Sequence, residues 1–296
     1  MSTEDSTAVT ADSAPAVPAG VGVLGGGRMG AGIAHAFLIK GADVVVVERD
    51  EAAAAAARER VSASVAASIE RGVLDGPLEQ VLSCLTVSLD RADFADRHLV
   101  IEAVPEDWDL KVSSLQDVER HLNDGALLAS NTSSLSVTGL SAELVRPENF
   151  LGLHFFNPVP ASALIEVVVG TQTAPAWVAA AREWTAGLGK TAVVVNDAPG
   201  FASSRLGVAI ALEAMRMVEE GVATAEDIDN AMVLGYKHPT GPLKTTDIVG
   251  LDVRLGIAEY LASTLGERFD PPQILRDKVA AGELGRKTGQ GFFTWT

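Results

Sequence analysis

The chain has 296 residues, which at about 150 residues per domain suggests two domains. Its 39 acidic residues against 23 basic ones leave a net charge of −16, which speaks against a nucleic-acid binder or a polybasic membrane binder. The single cysteine, Cys84, excludes an internal disulfide and a multi-cysteine zinc site, and fits a reduced, cytoplasmic setting. No apolar run reaches the roughly 18 residues that a membrane helix needs.

Residues 1–20 are rich in Ser, Thr, Ala and Pro and carry no bulky apolar residue besides Val9 and Val17, so they are predicted to be disordered. Order is expected from Val21. The run Val21–Leu24 reads as a buried strand, a glycine turn follows, and residues 31–40 read as a helix with Ile33 and Phe37 on one face, stopped by Gly41. Asp43 to Glu48 is a second strand, apolar on both faces as a central parallel strand is. Residues 51–83 read as an inserted helical pair broken near Gly72 to Pro77. Strands are predicted at 98–104, 126–131, 150–156, 164–169 and 191–195. Past Asp197–Gly200 the strand-like runs end. Leu206, Ile210, Ala214 and Met217 repeat at helical spacing, and Thr224–Asp227 resembles a capping box. The boundary therefore falls near 197, with an α/β domain over 21–197 and an all-helical domain over 198–296.

Gly25, Gly27 and Gly30 form a G-x-G-x-x-G turn between strand and helix, with an acidic residue, Glu48, closing the next strand. In such a turn the first glycine permits the bend, the second admits a pyrophosphate, and the third lets helix and strand pack closely. The helix N-terminus then offers free N–H groups to the phosphates. A carboxylate at Glu48 would bond the adenosine ribose hydroxyls and repel a 2′-phosphate, which favours NAD over NADP; Arg49 beside it could partly accommodate that phosphate.

His154 lies in the apolar run 153–156, and Glu166 follows twelve residues later in the apolar run 164–169. A carboxylate in such a run is costly without a partner. Antiparallel return of the chain through 157–162 would bring the two together. Such a pair is either a structural His–Glu contact or a general acid–base in which the carboxylate orients the imidazole. Ser133, in the segment 131–134 past a predicted strand, has two open readings: a hydroxyl for a substrate oxygen, or a helix N-cap. The other histidines, His35, His98, His121 and His238, carry no clustered metal-ligand pattern, so no metal is expected.

The segments GGGRMGAGIA (25–34), EAVPED (102–107), SNTSSLS (130–136), LHFFNPVP (153–160), APGF (198–201), HPTGPL (238–243), GLD (250–252) and LGRKTGQGFF (284–293) together resemble the L-3-hydroxyacyl-CoA dehydrogenase family, including its bacterial 3-hydroxybutyryl-CoA dehydrogenases. The resemblance implies a Rossmann dinucleotide-binding domain with a helical insertion, followed by an all-α domain that forms a homodimer. It also implies NAD-linked interconversion of 3-hydroxyacyl-CoA and 3-ketoacyl-CoA. Carried over residue by residue, the catalytic pair falls on His154 and Glu166, and the substrate-binding serine on Ser133. Cofactor contacts fall on Gly25, Gly27, Gly30, Glu48, Glu106, Lys111 and Asn157.

Three departures stand out. Ser204 occupies a position where the family has an asparagine that helps place the substrate. Lys244-Thr245-Thr246 replaces an acidic residue followed by apolar or small ones. No lysine occurs between Lys40 and Lys111, so the helical insertion has only Arg58, Arg60 and Arg71 to meet a CoA phosphate. These departures motivate an alternative substrate, an acyl group on a carrier protein. A non-catalytic, crystallin-like binding protein is a further alternative, and a lysine-based hydroxyisobutyrate-type enzyme is disfavoured by the His154/Glu166 spacing.

Overall fold

The computed structural model describes residues 17–296. The expected disorder of residues 1–16 lies outside them, and Gly20 already belongs to the first strand. The chain divides into two compact units: one holds the described residues up to Thr132 together with 137–196, the other residues 133–136 and 197–296.

The first unit is built on one eight-stranded sheet. Its strands are β1 (Gly20–Leu24), β2 (Asp43–Val47), β3 (Leu85–Ser88), β4 (Leu99–Glu102), β5 (Leu127–Ser130), β6 (Phe150–Phe155), β7 (Leu164–Val169) and β8 (Thr191–Asn196). They lie in the order β3-β2-β1-β4-β5-β6-β7-β8, and every neighbouring pair is parallel except β6 and β7. The strand order reverses between β1 and β4, which opens a crevice at their carboxyl ends. Strand β3 has no counterpart in the sequence reading. It is a four-residue edge strand in which only Leu85 is buried, too short for a periodic signal.

Helix α1 (Arg28–Leu38) starts three residues before the predicted point, because Gly27 ends the glycine turn in extended geometry and acts as its N-cap. The insertion forms as α2 (Glu51–Glu70) and the short α3 (Leu78–Leu82), with Asp50 capping α2 through the Ala53 N–H. Helices α4 (Trp108–Glu119), α5 (Val137–Ala142) and α6 (Pro175–Gly187) complete the crossovers. Along β6 and β7 the residues Leu153, Phe155, Ile165 and Val167 enter the core shared with α1 and α2, and their alternates point to the other face.

The second unit contains α7 (Ser203–Glu219), α8 (Ala225–Asn230), α9 (Pro242–Val249), α10 (Leu251–Leu265) and α11 (Gln273–Ala280). Helix α7 forms where the spacing predicted one, but its buried row is Val208, Ala211, Leu212 and Met215, while Leu206 and Ile210 are exposed. Thr224 does open α8, accepting from the Asp227 N–H, yet its hydroxyl donates to the Asp227 carboxylate and the reciprocal arm of a capping box is lost. Two buried aspartates organise the unit. Asp229 accepts from the Leu243 and Lys244 N–H groups at the start of α9, and burial raises its pKa. Asp247 accepts from the Phe292 and Phe293 N–H groups and the Trp295 indole, fastening the C-terminal segment. The segments 238–243 and 284–293 are thus the backbone partners of these carboxylates. Gly241 and Gly291 keep the approach open, since a Cβ there would fall 2.1 Å from Asp229 and 2.3 Å from Asp247 respectively.

A buried histidine ties α1 to α2. His35 Nε2 lies 2.8 Å from the Ser68 hydroxyl, which itself donates to the Ser64 carbonyl, so the ring donates from Nε2. Burial, helped by the nearby Arg71 and Lys190 cations, lowers its pKa from 6.5 to about 4. The folded protein therefore refuses a proton that the unfolded chain accepts. The stabilisation that neutral His35 contributes is complete above pH 6.5, is lost as the pH drops from 6.5 to about 4, and changes no further below. The full linkage corresponds to about 3 kcal/mol. Urea titrations at pH 7 and pH 4.5 should show most of that loss in the native chain and a smaller loss in His35→Gln. Equal losses would show that His35 is not the group that titrates.

Candidate active site

The antiparallel register of β6 and β7 places His154 directly opposite Glu166, and the ring Nδ1–H donates to Glu166 Oε2 at 2.8 Å. Both side chains are buried, Glu166 at 1% exposure. A slip of one residue between the strands would put His154 and Glu166 on opposite faces, so the apolar alternates that hold the register also hold the pair. The Phe156 ring tilts against the imidazole, with centroids 4.3 Å apart. Gly152, one pleat away on the same face, lets Val137 and Val168 close over the strand, for a Cβ there would lie 2.8 Å from Val168 and 3.0 Å from Val137. The Asn131 amide oxygen accepts from the Phe155 N–H at 2.9 Å and pins the end of β6 where the β5 ladder has stopped. With Nδ1 engaged, Nε2 is the ring nitrogen suited to proton transfer.

The glycine turn is built as the motif physics requires, with one change of role. Gly25 takes φ +90 against the Ala103 carbonyl, and a Cβ on Gly30 would fall 1.8 Å from the Gly25 oxygen. Gly26 is also needed, because a Cβ would fall 2.3 Å from the Cβ of Ala57 on α2. Gly27 is different: nothing lies within 4 Å of a Cβ built there. The protein's own packing leaves that space open at the N-terminus of α1, which has no side-chain cap. An open glycine facing uncapped N–H groups is what a dinucleotide pyrophosphate fits. Glu48 lies just past β2, and its carboxylate accepts from the Gly26 N–H at 2.6 Å and the Arg49 N–H at 3.1 Å, so it stands beside this turn. The Arg49 side chain is paired with Asp50.

Glu106 and Lys111 meet at the end of β4 in a polar cluster centred on Glu102. Lys111 is 1% exposed, and its ammonium reaches Glu102 Oε1 at 2.7 Å, the Val104 carbonyl at 3.3 Å and Glu106 Oε2 at 3.3 Å. Glu102 also accepts from the Ser130 hydroxyl and the Val104 N–H, and Glu106 accepts from Thr132. Three acceptors match the three hydrogens of the ammonium. Sequence reasoning did not single out Glu102, Ser130, Asn131 or Thr132 for this role. Their common signal is a polar residue at the carboxyl end of a buried strand. Asn157 is exposed in the turn after β6. Ser133 is half-buried in the segment 133–136, where Ser136, not Ser133, immediately precedes α5 and donates to Asp197. Ser204 is half-buried in the first turn of α7, which follows two left-handed residues, Gly200 and Phe201. Among the described residues no group of three or more His, Cys, Asp or Glu side chains could hold a metal ion, and no helix is long and apolar enough to cross a membrane.

The profile of the 3-hydroxyacyl-CoA dehydrogenase NAD-binding domain matches residues 20–198, and that of the 3-hydroxyacyl-CoA dehydrogenase C-terminal domain matches residues 200–295. The chain belongs to the 3-hydroxyacyl-CoA dehydrogenase family. A 3-hydroxybutyryl-CoA dehydrogenase of Mycobacterium tuberculosis is 42% identical over 279 residues, covering 93% of this chain and 98% of that one. The mitochondrial hydroxyacyl-coenzyme A dehydrogenase of Mus musculus is 37% identical over 93% of this chain and 90% of its own. The crystal structure of (S)-3-hydroxybutyryl-CoA dehydrogenase from Ralstonia eutropha superposes with a TM-score of 0.90 at 37% identity, covering 94% of this chain and 99% of that one. This family member is an oxidoreductase with a nicotinamide-dinucleotide domain of Rossmann type.

The two kinds of glycine in the turn separate experimentally. Gly30→Ala should lower the melting temperature of the ligand-free protein, because backbone must move to admit the methyl group. Gly27→Ala, at φ −62, should leave it unchanged and weaken NADH binding by at least tenfold in a fluorescence titration. Undiminished NADH affinity in Gly27→Ala would remove the pyrophosphate from this position.

Proposed function

We propose that the protein interconverts short-chain 3-hydroxyacyl-CoA, such as 3-hydroxybutyryl-CoA, and the matching 3-ketoacyl-CoA, with NAD as cofactor. The observation that carries this reading is the buried His154–Glu166 hydrogen bond. Bound NAD supplies the hydride acceptor in the oxidation direction and, as NADH, the donor in reduction. His154 takes the proton from the substrate hydroxyl at Nε2 and returns it to the ketone oxygen in reduction. Glu166 holds the ring by its Nδ1–H and offsets the positive charge that arrives with the proton, in an interior where charges interact strongly. Ser133 and Ser204 donate hydroxyl hydrogen bonds to substrate oxygens. The turn of Gly25, Gly27 and Gly30 holds the pyrophosphate, and Glu48 takes the ribose hydroxyls. Pairing of Arg49 with Asp50 supports NAD over NADP, because the cation that follows Glu48 in the chain is already engaged. Glu106 and Asn157 face the cofactor. Lys111 acts by holding Glu106 and the Val104 carbonyl in place. The lone Cys84 supports a cytoplasmic setting.

A second reading keeps the chemistry and moves the acyl group to a carrier protein. It is favoured by the lysine-free stretch between Lys40 and Lys111 and by Arg60, whose guanidinium is bonded to the Gly26 carbonyl. Both readings meet one experiment: NADH oxidation with acetoacetyl-CoA and with the same acyl group on a carrier protein. We expect the CoA thioester to be preferred, and His154→Gln to lower its rate about 10²–10⁴-fold. An unchanged rate in His154→Gln would overturn the mechanism, and preference for the carrier thioester would overturn the substrate.

A homodimer completes this reading. Leu206, Ile210 and Tyr236 are exposed, and Ile210 and Tyr236 line an apolar groove with Met217, Ile228 and Met232. A second copy of the helical unit would cover them. Sedimentation should give a dimer for the native chain and a monomer for Ile210→Glu; a monomeric native chain would overturn the assignment.

A further inference from the structure

Arg254 is the buried cation that the reading above does not use. It lies on α10 and is 8% exposed. Its Nε is enclosed without a hydrogen-bond partner, and among the described residues no group accepts a hydrogen bond from the guanidinium or forms an ion pair with it. The other buried Lys and Arg side chains among the described residues are met. Lys111 has Glu102 and Glu106, and Arg97 has Asp43 and Asp96. A buried charge left alone is one of the costliest features a fold can carry, and burial pulls the Arg254 pKa down. Only its Nε is fully enclosed, and the Nη ends of the fork are not.

The guanidinium is laid over one glycine of α7. A Cβ at Gly207 would lie 3.5 Å from Nη1 and 3.9 Å from Nη2, so a larger side chain there would push the cation aside. Glycine inside a helix costs about 1 kcal/mol relative to alanine, and here it leaves room for the fork of the arginine. Gly207 is three residues after Ser204, so the two share a face of α7 about 4.5 Å apart along its axis. The unpaired cation therefore stands one helical turn from the hydroxyl assigned to the substrate.

We propose that Arg254 binds a carboxylate on the acyl part of the substrate, so that the enzyme favours 3-hydroxy and 3-keto dicarboxylic thioesters over their uncharged analogues. The planar fork of arginine matches a carboxylate with two parallel hydrogen bonds. This proposal rests on the dehydrogenase reading and on the place of Ser204 within it. The anion is assigned to the acyl chain rather than to the phosphates of CoA because of the one-turn separation from Ser204.

The test compares kcat/KM for 3-ketoglutaryl-CoA and its one-methylene-longer homologue with that for acetoacetyl-CoA, in the native chain, Arg254→Leu and Arg254→Lys. The expected result is that Arg254→Leu lowers the ratio of charged to neutral substrate by about 30-fold or more, with partial recovery in Arg254→Lys. Arg254→Leu should melt at or above the native temperature, because it removes an unpaired buried charge. An unchanged ratio, or one loss shared by acetoacetyl-CoA and the dicarboxylic thioesters, overturns the proposal and points to CoA phosphate or to structure. Failure of the native chain to reduce any thioester overturns the dehydrogenase reading instead. Calorimetry then tests Arg254 alone: weaker binding of only the dicarboxylic thioester by Arg254→Leu supports the proposal, and equal binding by both chains overturns it.

Discussion

The site depends on one constraint: the Glu166 carboxylate is buried in the middle of a sheet and must have a partner. The single antiparallel junction of the sheet supplies it by setting β6 and β7 in the register that puts His154 opposite. The apolar residues on the other face of the same strands enforce that register through the core, and Asn131 and Gly152 hold the surrounding backbone. The energy that orients the imidazole is therefore not local. It comes from the burial of Leu153, Phe155, Ile165 and Val167, which no slipped pairing would preserve.

An acidic chain that binds a dinucleotide needs a source of positive potential other than its net charge. Here it is backbone. The glycine turn and the uncapped start of α1 present N–H groups, and Gly27 alone among the motif glycines has open space where a side chain would stand. The nearby cations are largely engaged within the protein: Arg60 with the Gly26 carbonyl, Arg49 with Asp50, and Lys111 with the carboxylates at the end of β4. They stiffen the strand ends instead of forming a basic patch. The helical unit uses the opposite device, burying Asp229 and Asp247 to collect backbone N–H groups from α9 and the C-terminal segment. Arg254 breaks this pattern of matched charges.

Much of this architecture was legible in the residue order, because it is local. The strand–turn–helix–strand unit with Gly25, Gly27, Gly30 and Glu48 is a short-range pattern, and the helical pair with its break near Gly72 to Pro77 is a matter of composition and punctuation. His154 and Glu166 were legible as a candidate pair for the same reason: two apolar runs joined by a short connection can close on each other. Element ends were less visible. Strand β3 is too short to carry a period, and the start of α1 was set by the extended conformation of Gly27.

By itself, then, the sequence determined which residues could form a dinucleotide turn and which histidine and carboxylate could meet, since spacing alone limits those choices. Only the tertiary structure decided matters that depend on distant neighbours. It showed that Gly26 is demanded by Ala57 while Gly27 is left open, that Lys111 is saturated by acceptors on a neighbouring strand and loop, and that Leu206 and Ile210 lie outside the core row of α7. It also decided that Arg254 is buried without a partner. Periodicity reports the face of a helix, but whether a charge on that face finds a counter-charge depends on which helix packs against it.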